Sequence, residues 1–96
     1  MSIRVLLSCK HKVIAEGIAA VLRTHADIQL VGITDEDLGT KTLCELEHPQ
    51  VVVAGVDPRR SDDVALTRWV SQLSPRPEIV AFSTDCDRGA VLQMVQ

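Results

Sequence analysis

Four short apolar runs alternate with stretches of helical spacing, and that alternation limits the possible folds more than any single residue does. The runs are Ile3–Ser8, Ile28–Ile33, Val51–Val56 and Glu78–Phe82. Runs of four to eight residues with little polar interruption suit strands buried on both faces, as in a parallel sheet covered by helices. The segment after the first run carries Val13, Ile14, Ile18, Val21 and Leu22 at helical spacing. Gly17 falls on the same stripe, and Lys12, Glu16 and Arg23 are left for solvent. A weaker helix is expected over Leu38–Leu46, with Gly39 and residues of modest propensity at Thr40, Thr42 and Cys44. Thr34-Asp35 is placed to cap it and His48-Pro49 to stop it. A third helix runs from about Val64 to Leu73, capped by Ser61 or Asp62, with Val64, Thr67, Val70 and Leu73 facing inward. Pro75 and Pro77 end it. A last helical stretch is expected from Asp85 or Asp87 through Val95. The order β-α-β-α-β-α-β-α, with right-handed crossovers, predicts a three-layer α/β/α domain around a central parallel sheet.

The 96 residues make one domain spanning 1–96, with no linker or internal repeat. Only 2% of them are aromatic, so the core must be built from aliphatic side chains. A formal net charge of −3 provides no basic footprint for direct nucleic-acid binding. No apolar run approaches the roughly 20 residues that span a bilayer, so no membrane partner is expected. Three widely spaced cysteines favour a reducing cytoplasm over a disulfide framework.

Several local sequences have a familiar order. Ile3-Arg4-Val5-Leu6-Leu7 is followed by His11-Lys12-Val13 and Glu16-Gly17-Ile18, then by Asp27-Ile28-Gln29-Leu30-Val31-Gly32. Pro49-Gln50-Val51-Val52-Val53 and Leu66-Thr67-Arg68 come after. Together they resemble the receiver domains of NarL/LuxR-type bacterial response regulators over essentially the whole chain. The resemblance implies a flavodoxin-like sheet of order 2-1-3-4 and a site at the carboxyl ends of strands one and three. It also implies a fifth strand and fifth helix beyond Gln96. The fourth strand is therefore expected to be an open edge, with Val91, Leu92 and Val95 uncovered and available, like Trp69, for an interface.

The residues that perform receiver chemistry do not carry over. The resemblance puts Cys9 and Lys10 where the metal-holding acidic pair belongs, and Gly55 where the phosphoacceptor aspartate belongs. The switch hydroxyl is kept as Ser83, with Thr84 beside it. Gly55 has no nucleophile, and a lysine ammonium repels the hard cation that phosphoryl transfer requires. Asp57 lies two residues further on, which displaces a side chain about 6–7 Å along a strand, and Asp57-Pro58 reads as a turn. Lys10 is a candidate tethered cation in place of the metal, pairing with Asp57, Asp85 or a carbonyl. Cys9-x-His11 has no second cluster of ligands to make a metal site. Arg59-Arg60 reads as a solvated turn.

These features imply a non-enzymatic pseudo-receiver, with no catalytic residue, metal or cofactor. It would be the N-terminal regulatory and dimerisation part of a transcription regulator. DNA would be reached only through a separate helix-turn-helix domain, and a homodimer or higher self-association is expected. Two alternatives remain open. One is a small-molecule sensor, with an effector in space opened by Gly55 and Cys9 and contacted by Lys10, Asp57, Ser83 and Thr84. The other is a stand-alone interaction adaptor.

Overall fold

The computed structural model describes residues 2–56 and 60–83, together with the backbone of 92–95. Strands β1 (Ile3–Ser8), β2 (Ile28–Thr34), β3 (Val51–Val56) and β4 (Glu78–Ser83) alternate with helices α1 (Lys12–Arg23), α2 (Asp37–Glu47) and α3 (Ser61–Ser71). A short strand β5 (Leu92–Val95) follows. The sheet order is β2-β1-β3-β4-β5. The first four strands are parallel, as the alternation predicts, and β5 is antiparallel to β4.

The two faces of the sheet separate residue by residue along each strand. Leu6 and Val52 point to one face, where Cys44 of α2 and Leu66 and Val70 of α3 complete a buried cluster. Leu7 and Val53 point to the other face and meet Ala15, Ile18 and Ala19 of α1. Alternation of side chains across a strand is what lets a continuous aliphatic run feed two cores at once. Between β1 and β2 the register slips by one residue, so that Val5 pairs with Leu30 and Leu6 with Gly32. The extra residue, Val31, packs into the α2–α3 cluster while Leu30 packs toward α1.

Three local expectations are corrected. In α1 the inward residues are Ala15, Ile18, Ala19 and Leu22, whereas Val13, Ile14, Gly17 and Val21 face outward. Small alanines let the helix lie close to the sheet, so the bulkier valines end up on the far side. In α3 the buried positions are Asp63, Leu66 and Val70, and Val64 is exposed. Neither α2 nor α3 is capped by the expected side chains: Glu36 and Arg60 occupy the N-cap positions without a side-chain capping bond, and Ser61 is already helical.

The fourth correction concerns the end of the chain. Leu92–Val95 forms strand β5 rather than continuing a helix, and it covers the edge of β4 that was expected to be open. A short apolar stretch with one glutamine fits either periodicity. The unpaired backbone groups of β4 offer an extended segment hydrogen-bonding partners that an isolated helical turn lacks. No fifth parallel strand is present among the described residues. No helix is long and apolar enough to cross a membrane among them either.

Candidate functional site

In a parallel βα sheet, each strand's carboxyl end faces the amino terminus of the following helix. Here that pole gathers the β1–α1 loop and the first turns of α2 and α3. Asp37 stands in the first turn of α2, and Asp62 and Asp63 in that of α3, where the helix dipole favours carboxylates. Lys10 extends from the loop after β1 between the two helices. Its Nζ lies 2.8 Å from Asp63 Oδ1 and 3.6 Å from Asp37 Oδ1. Asp63 is 5% exposed, so this carboxylate is held inside the fold facing an ammonium group. The hydrogen bond to Asp63 is the main reason that the Lys10 pKa is raised above its ordinary value, against a smaller opposing effect of burial.

Beneath the ion pair lies a buried line of hydroxyls. Ser8 at the end of β1 shares a 2.8 Å hydrogen bond with Thr40 of α2, and Thr40 shares a 2.6 Å bond with Thr34 at the end of β2. Thr40 is completely enclosed and sits 3.1 Å from the Glu36 carbonyl, one turn back along the chain. Three hydroxyls thus tie the tips of two strands to the start of α2.

On the opposite face, Gly55 is overlaid by an aromatic ring. A Cβ built on Gly55 would stand 3.0 Å from Phe82 Cζ, 3.2 Å from Phe82 Cε2 and 3.4 Å from Cys9 Sγ. Gly55 and Phe82 are register partners on β3 and β4, which brings the ring to this spot. Cys9 is buried among Leu7, Ala15 and Phe82, with its thiol 3.5 Å from the His11 carbonyl. The space that Gly55 and Cys9 were expected to open is therefore filled by the Phe82 ring. Among the described residues, a shallow groove lies open beside α1, lined by residues that include Lys10, Lys12, Ile33 and Asp35.

The predicted site residues divide clearly. Cys9, Lys10, Gly55 and Ser83 converge on the carboxyl pole. Ser83 ends β4 opposite Val56 and is half-buried. Asp57, Thr84, Asp85 and Val91 lie outside the described residues, as do the side chains of Leu92 and Val95. Trp69, considered as an exposed anchor, is half-buried against the α2–α3 core with Lys41 Nζ 5.5 Å from its ring centre. Sequence reasoning missed Asp63 and Asp37 as partners for Lys10. The available signal was positional: both are acidic residues in the opening turn of a helix that begins at the pole where Lys10 lies. Among the described residues no cluster of three or more histidine, cysteine or acidic side chains is arranged to hold a metal.

No protein-family model and no curated protein matches the chain. Solved structures do match in fold. RcsB of Salmonella enterica serovar Typhimurium, bound to promoter rprA in the presence of phosphomimetic BeF3⁻, superposes with a TM-score of 0.77 at 14% identity. The match covers 88% of this chain and 44% of RcsB. The isolated receiver domain of the same RcsB gives 0.76 at 13% identity, over 91% of this chain and 65% of that domain. The receiver domain of the putative response regulator NarL from Mycobacterium tuberculosis gives 0.69 at 19% identity, covering 90% and 69%. The chain thus spans less than half the length of intact RcsB, and it has the flavodoxin-like fold of receiver domains.

Proposed function

We propose that this chain is a receiver-type regulatory module that works without phosphorylation, as part of a cytoplasmic NarL/LuxR-type transcription regulator. In this reading it is not an enzyme and holds no metal. DNA contact belongs to a separate helix-turn-helix domain, and the module contributes self-association. The observation that carries the proposal is the packing of Phe82 across Gly55, where an acceptor side chain would have to begin. A glycine offers no oxygen to phosphorylate, and even a Cβ at this position would stand 3.0 Å from the ring, which would have to shift to admit a longer side chain. Lys10 supports the same reading from the other side of the pole, since its ammonium is already paired with Asp63 and Asp37. A Mg²⁺ ion there would be repelled by Lys10 and would have to compete for its carboxylates.

The test is incubation with acetyl phosphate and Mg²⁺, followed by intact-mass measurement and a thermal melt with and without BeF3⁻. The expected result is an unchanged mass and an unchanged melting temperature. An aspartyl phosphate adduct, or stabilisation that requires both Mg²⁺ and BeF3⁻, would refute the proposal.

A further inference from the structure

Helices α1 and α2 lie on opposite faces of the sheet, and each shows solvent an apolar stripe with the same spacing. On α1 the stripe is Val13, Gly17 and Val21, with the two valines 83% and 61% exposed and open space over Gly17. On α2 it is Leu38, Thr42 and Leu46, with the leucines 73% and 71% exposed. In both helices the outer pair is eight residues apart, about 12 Å along the axis, with a small residue midway. We infer that these stripes are the two halves of one contact, in which α1 of one copy lies antiparallel against α2 of the next.

The charges beside the stripes select this arrangement over its alternatives. With Gly17 set against Thr42 of the second copy, Val13 meets Leu46 and Val21 meets Leu38. In an antiparallel pair the corresponding flanks of the two helices adjoin. The α1 flank carries Lys12, Glu16 and Arg23, and the α2 flank carries Glu45, Lys41 and Asp37. At a rise of about 1.5 Å per residue, Glu16 comes level with Lys41, Arg23 with Asp37 and Lys12 with Glu45, each within about 3 Å along the axis. All three pairs are of opposite sign. Lys41 is held at its flank by resting over Trp69. Pairing α1 with a second α1 would set Glu16 against Glu16 and Lys12 against Arg23. Pairing α2 with a second α2 would set Lys41 against Lys41 and Asp37 against Glu45. Both symmetric choices bring like charges together, which disfavours them.

A contact between two different faces leaves α1 free on one copy and α2 free on the other, so it propagates head to tail instead of closing as a two-fold dimer. It gives the self-association proposed above a surface without depending on the state of Gly55. The acetyl phosphate assay and the experiment below can therefore fail independently. One helix pair is a small interface, so association is expected only at high concentration, from about 0.1 mM upward.

The test uses two variants in sedimentation velocity, Val13→Glu and Leu38→Lys, with circular dichroism to verify the fold. Val13→Glu places a carboxylate opposite Leu46 and Glu45, and Leu38→Lys places an ammonium opposite Val21 and Arg23. The wild-type chain should show a weight-average mass that keeps rising with concentration. Each variant alone should stay monomeric. An equimolar mixture should form a one-to-one dimer and stop there, because the intact α1 of Leu38→Lys fits the intact α2 of Val13→Glu. A wild-type chain that stays monomeric near 1 mM, self-association untouched by either variant, or a mixture that stays monomeric would each overturn the inference.

Discussion

The Phe82 ring over Gly55 makes a prediction with a sign that depends on background. Substituting Gly55→Ala puts a methyl carbon 3.0 and 3.2 Å from two ring carbons, against a preferred carbon–carbon separation of about 3.5–4.0 Å. The ring must retreat by roughly half an ångström, and overpacking of this kind costs about 1–3 kcal/mol. Phe82 is half-buried, so it has somewhere to move, which puts the cost in the lower half of that range, about 1–2 kcal/mol. Alanine in a strand interior recovers about 0.5–1 kcal/mol over glycine through its smaller loss of chain entropy. The net expectation is a destabilisation of about 0.5–1 kcal/mol. Phe82→Val removes Cε2 and Cζ while keeping a strand-favouring side chain, and in that background Gly55→Ala should stabilise by about 0.5–1 kcal/mol. The interaction term in the double-mutant cycle is then about 1–2 kcal/mol. Urea unfolding of the four proteins measures it, and melting temperatures should shift in opposite directions by a few degrees, since about 1 kcal/mol moves a domain of this size by roughly 4–8 °C. Equal effects of Gly55→Ala in both backgrounds would show that the ring does not lie over Gly55, and the argument against a carboxylate there would lose its steric half.

Other consequences are simpler to state. Thr40→Val breaks two hydroxyl contacts in an enclosed site and should cost about 1–3 kcal/mol in urea unfolding; a loss below about 0.5 kcal/mol would mean that the line of hydroxyls contributes little. The Lys10 pKa is raised by Asp63, so its stabilising contribution is complete at neutral pH and is lost as pH climbs through the raised value. Lys10→Met should therefore lower the melting temperature at pH 7 and flatten its decline at alkaline pH. Burial, helped by the Glu45 charge, pushes the Cys44 thiol from 9.0 up to about 11. By the same sign rule, its contribution is intact below about pH 9 and fades between there and pH 11. In native protein at pH 8, Cys44 should react with a thiol reagent far more slowly than in urea, and comparable rates would contradict its burial.

The sheet was legible because aliphatic runs and their spacing report burial on two faces directly, and the bounds of β1 and β3 agree with the runs Ile3–Ser8 and Val51–Val56. The helices were legible in position and less so in orientation. On α1, reading the large apolar residues as the inward face chose Val13 and Val21, yet the helix turns Ala15 and Ala19 to the sheet. Periodicity identifies an apolar stripe without saying whether a neighbour covers it, and α1 carries two, one of small residues facing in and one of valines facing out. Strand β5 was illegible for a different reason: its conformation is set by pairing with β4, a long-range partner that no local pattern in residues 92–95 announces.

At the site, the sequence identifies the residues and the structure identifies their partners. The absence of acids at positions 9, 10 and 55 is visible by inspection, because it concerns residue identity alone. The contacts made there span chain separations of 53 residues for Lys10 with Asp63 and 27 for Gly55 with Phe82, so only the folded register brings the partners together. The physical consequence follows from how each charge is held. A divalent ion at such a pole exchanges with solvent, and the geometry around it then depends on what is bound. A lysine joined to β1 by the backbone cannot diffuse away, so its contacts with the opening turns of α2 and α3 need no bound ligand to form. In the function proposed here, this chain therefore has no ion-dependent state to switch from, and whatever regulates it has to act through its surfaces, where the oppositely charged faces of α1 and α2 are the features available to a partner.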